Sequence, residues 1–146
     1  MDDTFWMHEA LKEAKLAFEE GEVPVGAVIV KNNRIIGRGH NRVEALKDPT
    51  AHAEILAITS AANTLGDWRL NGCTIYVTLE PCPMCAGAIW VARISRCVFG
   101  AYDTRIGGIV SKFKCCEGIE VKGGILEREA IELLQRFFKN LRNTAD

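Results

Sequence analysis

Apolar positions recur at helical spacing from Phe5 to Phe18, where Leu11, Ala14 and Phe18 share one face and Lys12 and Glu13 lie off it. Gly21 offers a stop for that helix. The period then changes. Val23 to Lys31 is β-branched and mostly apolar, which predicts a buried strand; Asn32-Asn33 predicts a hairpin turn and Arg34 to Gly39 the return strand. Asp48-Pro49-Thr50 marks a second helix start, with Glu54 close behind and Ala51 to Leu65 following. Cys73 to Leu79 reads as another strand. Pro81 and Pro83 bracket the entry to a helix reaching about Ala92, and Ser95 to Tyr102 reads as a third buried strand. Residues 103–117 carry no clear period. Ile119 to Val121 predicts a short strand and Glu127 to Leu141 a final amphipathic helix. This order predicts an α/β sandwich, a central mixed sheet covered by helices.

With 146 residues and no repeat, low-complexity tract or linker, the chain is expected to form one domain over residues 1–146. The longest apolar runs, Val25 to Val30 and Ala86 to Ala92, are too short to span a bilayer. Met1-Asp2-Asp3 lacks the basic start and long apolar stretch of a secretory signal. The expectation is a cytoplasmic protein with no membrane partner. Net charge is −1, which does not announce a nucleic-acid binder. The charge is uneven, however: residues 1–88 hold 8 Lys/Arg against 12 Asp/Glu, residues 89–146 hold 10 against 7. A phosphate-binding surface would draw on the second half, although ordinary scatter gives the same counts.

Six cysteines, at 73, 82, 85, 97, 115 and 116, fit thiols or metal ligands better than a disulfide framework in such a protein. Three features stand together among them. His52-Ala53-Glu54 and Pro81-Cys82-Pro83-Met84-Cys85 both fall at predicted strand-to-helix junctions. Two thiolates in the first turn of one helix and a His in the first turn of another make three protein ligands with a fourth position open, the pattern of a catalytic rather than a structural zinc site. A helix N-terminus also favours the thiolate that a metal needs. Such an ion can activate water, and Glu54 can move its protons while staying off the metal. Taken alone, Cys-x-x-Cys serves equally as a structural zinc half-site or a redox pair, and neither the remaining cysteines nor His8 and His40 form a second paired motif.

His-x-Glu followed by Pro-Cys-x-x-Cys is the recognised signature of zinc-dependent nucleobase deaminases. The resemblance extends beyond it. Asp48 to Glu54, Thr78 to Ala88, Glu22 to Val28, Gly39-His40-Asn41-Arg42 and Val98 to Ala101 are similar to the bacterial tRNA-specific adenosine deaminase family, within the cytidine/deoxycytidylate deaminase superfamily. The likeness runs to about Gly108 and resumes from Gly123 through Phe137-Phe138.

The resemblance implies a three-layer α/β/α cytidine-deaminase-like fold with a five-stranded mixed sheet, a homodimer, and hydrolysis of adenosine to inosine at the wobble position of a tRNA anticodon loop. It implies one Zn²⁺ per chain on His52, Cys82 and Cys85, with Glu54 as the proton shuttle. It implies that Asn41 hydrogen-bonds the displaced base, that Val25, Ala53 and Leu79 line its pocket, and that Asp103 lies near the ribose. Asn41 fits a turn residue as well, and Asp103 could simply open the next turn. Arg69, Lys112, Lys114, Arg136, Lys139 and Arg142 are candidate phosphate contacts or ordinary surface charges. The chain departs from the family between Ile109 and Val121, where Ser111 to Gly118 forms a shorter segment without the usual Leu-Asn-His stretch. The signature leaves open a deaminase of free guanine, cytosine or a nucleoside, and a non-catalytic zinc-stabilised RNA-binding subunit.

Overall fold

The computed structural model describes residues 1–144. Helix α1 spans Asp3–Glu19 and is capped by Asp2, whose carboxylate accepts the Phe5 N–H at 2.9 Å. Strands β1 (Gly26–Lys31) and β2 (Arg34–His40) form the expected hairpin. Asn32 and Asn33 both adopt positive φ, 51° and 61°, the conformation that a two-residue primed turn needs and that Asn tolerates. Then follow a short helix α2 (Val43–Leu46), α3 (Ala53–Leu65), β3 (Thr74–Leu79), α4 (Pro83–Val91), β4 (Arg96–Ala101), β5 (Glu120–Lys122) and α5 (Glu127–Asn143).

The five strands lie in the order β2-β1-β3-β4-β5. β1 runs antiparallel to β2 and β3, whereas β3, β4 and β5 are parallel, so the sheet is mixed. Alternate residues of the central strands feed two cores. Ala27, Ile29, Ile75, Val77, Cys97 and Phe99 pack against α3 and α4; Val28, Val30, Tyr76 and Val98 pack against α1. Both faces are covered, which is why these strands read as continuous apolar runs rather than alternating ones.

One contact sets the depth at which α3 lies on the sheet. A methyl group on Gly37 would meet the Ala57 carbonyl at 2.6 Å, and one on Gly39 would meet the Ala53 carbonyl at 2.5 Å. Ala53, Ala57 and Ala61 recur every fourth residue on the facing side of α3 and are fully buried. Small residues on both partners thus bring the helix backbone directly onto β2, and the start of α3 with it.

Several boundaries differ from expectation. Val23 to Val25 precedes β1 instead of belonging to it, because Val25 turns back to donate to the Val23 carbonyl. α3 starts at Ala53, not Ala51: the Asp48 carboxylate accepts both the Thr50 N–H (2.8 Å) and the Thr50 hydroxyl (2.7 Å), closing a turn ahead of the helix. α2 has no counterpart in the periodicity, being only four residues long.

Asp3 ties α1 to the sheet. It pairs with both terminal guanidinium nitrogens of Arg96 at 2.7 Å and accepts the Tyr76 hydroxyl at 2.8 Å. The Arg96 hydrogen bonds hold its carboxyl well below the usual carboxylate range against the opposing effect of burial. A depressed folded-state pKa stabilises the protein above the unfolded value, and that stability is lost as pH falls towards the folded one. Asp3→Asn is therefore expected to lower unfolding free energy by about 2 kcal/mol at pH 7. In denaturant titrations the gap from wild type should shrink below about pH 4; a constant gap would assign the effect to packing.

Candidate active site

Two helix N-termini converge at the C-terminal end of β3. His52 is the N-cap residue of α3, with extended backbone at φ −75° and ψ 156°; Cys82 is the N-cap residue of α4, at φ −69° and ψ 172°. Neither side chain caps its own helix, so both are free to turn towards the gap between the helices. Pro83 occupies the first position of α4, where a missing N–H costs nothing, and Cys85 follows in the first turn. His52 and Cys82 thus stand one position outside their helices, a small shift from the first-turn placement expected.

The geometry suits a tetrahedral ion. His52 Nδ1 lies 3.6 Å from Cys82 Sγ and 3.5 Å from Cys85 Sγ. A tetrahedral zinc centre with ordinary Zn–S and Zn–N bonds has N···S edges of roughly 3.6 Å. His52, Cys82 and Cys85 are the one group of three or more potential ligands that lies close enough together among the described residues. Among the described residues no fourth His, Cys, Asp or Glu joins them, which matches the open coordination of a catalytic centre. Cys115 and Cys116 lie outside this donor set.

The donors polarise one another. The hydrogen bond from Cys85 holds the Cys82 thiol down to about 4, aided by His52 and opposed by burial. The same bond, together with burial, pushes Cys85 up. Cys82 in turn raises His52, again against burial. Glu54, in the first turn of α3, is almost wholly buried. Burial pushes its carboxyl up to about 7, with the neighbouring Cys82 adding to the shift. A carboxyl poised near neutrality can both take and return a proton.

These groups form the floor of a cleft of about 680 Å³, a size usual for small-molecule sites. Val25, Asn41, Ala53, Leu79 and Asp103 all line it, beside His52, Glu54 and Cys82; Cys85 is fully buried beneath. The Asn41 amide donates to the Val23 carbonyl at 3.2 Å and its oxygen accepts the Val43 N–H at 3.3 Å. One N–H and one acceptor position remain for a ligand. The Asp103 carboxylate accepts the N–H groups of Arg105 (3.1 Å) and Ile106 (3.2 Å), so it does open the following turn while facing the cleft.

Other lining residues were not among the expected site residues. Thr104, Arg105 and Ile106 belong to the stretch without a period; Leu134, Phe138 and Leu141 come from α5, whose helix the pattern predicts but whose place on the cleft it does not. Glu22 is buried and caps α2, accepting the N–H groups of Glu44 (3.0 Å) and Ala45 (2.7 Å). Its position in Glu-Val-Pro-Val-Gly marked it only as part of the family likeness. Among the basic candidates, Arg142 lines an adjoining groove, Arg69 pairs with Asp67 beside Trp68, and Arg136 stacks on Phe18.

Residues 1–101 match the family model for the cytidine and deoxycytidylate deaminase zinc-binding region. Among characterised relatives, the tRNA-specific adenosine deaminase of Aquifex aeolicus is 50% identical, covering 98% of each chain. That of Bacillus subtilis is 48% identical, covering 96% of this chain and 91% of its own. A solved structure of a tRNA:A34 deaminase superposes with a TM-score of 0.86 at 46% identity, over 90% of this chain and 99% of the other. Guanine deaminase from Bacillus subtilis superposes with a TM-score of 0.68 at 42% identity, over 71% of this chain and 67% of the other. With a zinc-type donor set, a buried carboxyl and this likeness in agreement, the chain belongs to the cytidine and deoxycytidylate deaminase family, in the group of the tRNA-specific adenosine deaminases.

Proposed function

We propose that this protein hydrolyses the exocyclic amine of adenosine at the wobble position of a tRNA anticodon loop, releasing ammonia and leaving inosine. The observation that carries the reading is the pairing of a three-donor zinc site with a buried Glu54 carboxyl on the floor of one cleft. The names of the full-length relatives supply the substrate. The unit is a single domain, and we place it in the cytoplasm with its tRNA substrate; no helix among the described residues is long and apolar enough to cross a membrane.

His52, Cys82 and Cys85 hold the zinc, which supplies Lewis-acid activation of the attacking water when bound. Glu54 accepts a proton from that water and delivers it to the ring nitrogen beside the reacting carbon. It then carries the second water proton to the departing amine, so the proton count closes with ammonia as product. Val25, Ala53 and Leu79 are apolar walls for a base taken out of its stack, and the free valences of Asn41 read the purine edge. Asp103 and Arg105 line the same cleft, suited to the ribose and a flanking phosphate.

A homodimer accounts for an otherwise odd helix. α4 has no charged residue, yet Met84, Trp90 and Val91 are exposed, and a side chain added at Gly87 would meet nothing. An apolar face of this kind suits a second copy of the same face. Sedimentation at micromolar concentration should give a dimer, with Trp90→Glu shifting it to monomer; a wild-type monomer would remove this element of the reading.

Zinc-loaded protein should release ammonia from an anticodon stem-loop bearing adenosine at the wobble position, read by inosine sequencing. Turnover of free guanine or cytidine without reaction on that RNA would replace the substrate. Glu54→Gln should keep fold and one zinc per chain while turnover falls by about 10²-fold or more. Cys85→Ser should instead lose zinc by metal analysis, and with it activity. Full activity of the Glu54 variant would remove that carboxylate from the chemistry.

A further inference from the structure

Glu80 directly follows β3, two residues before Cys82, and is 2% exposed. A buried carboxylate normally sits beside a cation. Among the described residues, none of the ion pairs involves Glu80. Its two oxygens are satisfied by one loop instead. Oε1 accepts the Asp103 N–H at 3.1 Å and the Ser111 hydroxyl; Oε2 accepts the N–H groups of Val110 and Ser111, each at 2.9 Å. The next residue continues the attachment: the Pro81 carbonyl accepts the Gly108 N–H at 2.7 Å.

The loop lies flush against this segment. A methyl on Gly107 would strike the Glu80 carboxyl group, and one on Gly108 would meet Cys82 and Pro83 backbone atoms at 2.6 Å. Between the two attachment points the chain carries Asp103, Thr104, Arg105 and Ile106 along the cleft wall. Four donors on one fixed anion are charge-assisted bonds, individually stronger than neutral ones. A carboxylate suits the position chemically, because every partner is a donor. An amide of the same shape would turn an N–H donor towards backbone N–H groups.

We propose that Glu80 is a positioning residue for substrate engagement. It moors the 103–111 wall, and with it Asp103 and Arg105, to the segment that carries Cys82, so the rim that meets the nucleic acid and the floor that holds the metal keep one spacing. Its work lies in docking the substrate and not in the chemical step. The inference rests on the RNA-substrate reading above.

The test uses full-length zinc-loaded Glu80→Gln and Ser111→Ala. Hydrogen exchange read by mass spectrometry should show amides of 103–111 exchanging about tenfold faster in Glu80→Gln, with β3 and α4 peptides unchanged. On the anticodon stem-loop, KM should rise about tenfold while kcat stays within about threefold and zinc content holds. Ser111→Ala, which removes one donor of four, should raise KM in the same direction by about threefold, and decides the matter if Glu80→Gln does not fold. Unchanged exchange over 103–111 overturns the proposal. So does a fall in kcat at constant KM, or loss of zinc, either of which would make Glu80 a support of the metal segment alone. If wild type ignores the stem-loop, the substrate reading fails while the exchange arm still decides the mooring.

Discussion

Two chain segments remote in sequence must place two sulfurs within about 3.6 Å of one imidazole nitrogen, and that distance is set by how deeply one helix lies on the sheet. α3 reaches its depth because Gly37 and Gly39 face Ala53, Ala57 and Ala61 with no side chain between the backbones. Any larger residue there would lift the start of α3, and His52 with it, away from the cysteines. Cys82 and Cys85 are placed separately, by β3 and the proline-flanked entry to α4. The donor set is therefore a measurement of the sheet-to-helix spacing, and its fit to a tetrahedral ion depends on packing far from the ion.

The legible parts of the sequence were those with a strong local signal. The β1–β2 hairpin followed from apolar runs interrupted by two Asn residues, and both adopt positive φ. The donors stood out because Cys and His at helix starts carry chemistry that few other arrangements need. Boundaries were less legible where a side-chain hydrogen bond competes with the helix, as at Asp48 and Thr50. The 103–117 stretch was unreadable for a deeper reason. Its conformation comes from hydrogen bonds to Glu80, Pro81 and its own turns, not from periodic burial, so no hydrophobic pattern marks it. Glu22 and Glu80 were missed as structural anchors because a buried carboxylate looks in sequence like any surface acid.

The cleft divides its labour between chain halves. The floor and the Val25–Asn41 side come from the acidic first half, where Glu22 organises the short helix α2. The 103–106 wall and the α5 side come from the basic second half, which contributes Arg105 and, in the adjoining groove, Arg142. Asp103 and Arg105 offset each other on the cleft wall, so the basic balance of the second half reaches the adjoining groove, through Arg142, and not the cleft itself.

Glu54 owes its poise to the floor and not to the rim. Its proton affinity comes first from burial, not from a hydrogen-bond partner tuned to it. The same exclusion of water that brings its carboxyl near neutrality also strengthens the coupling among His52, Cys82 and Cys85. The groups that act on Glu54, namely His52, Cys82 and Cys85, belong to the starts of α3 and α4 and not to the 103–111 wall. Reactivity of the acid and engagement of the substrate thus draw on different parts of the chain, the floor and the moored wall.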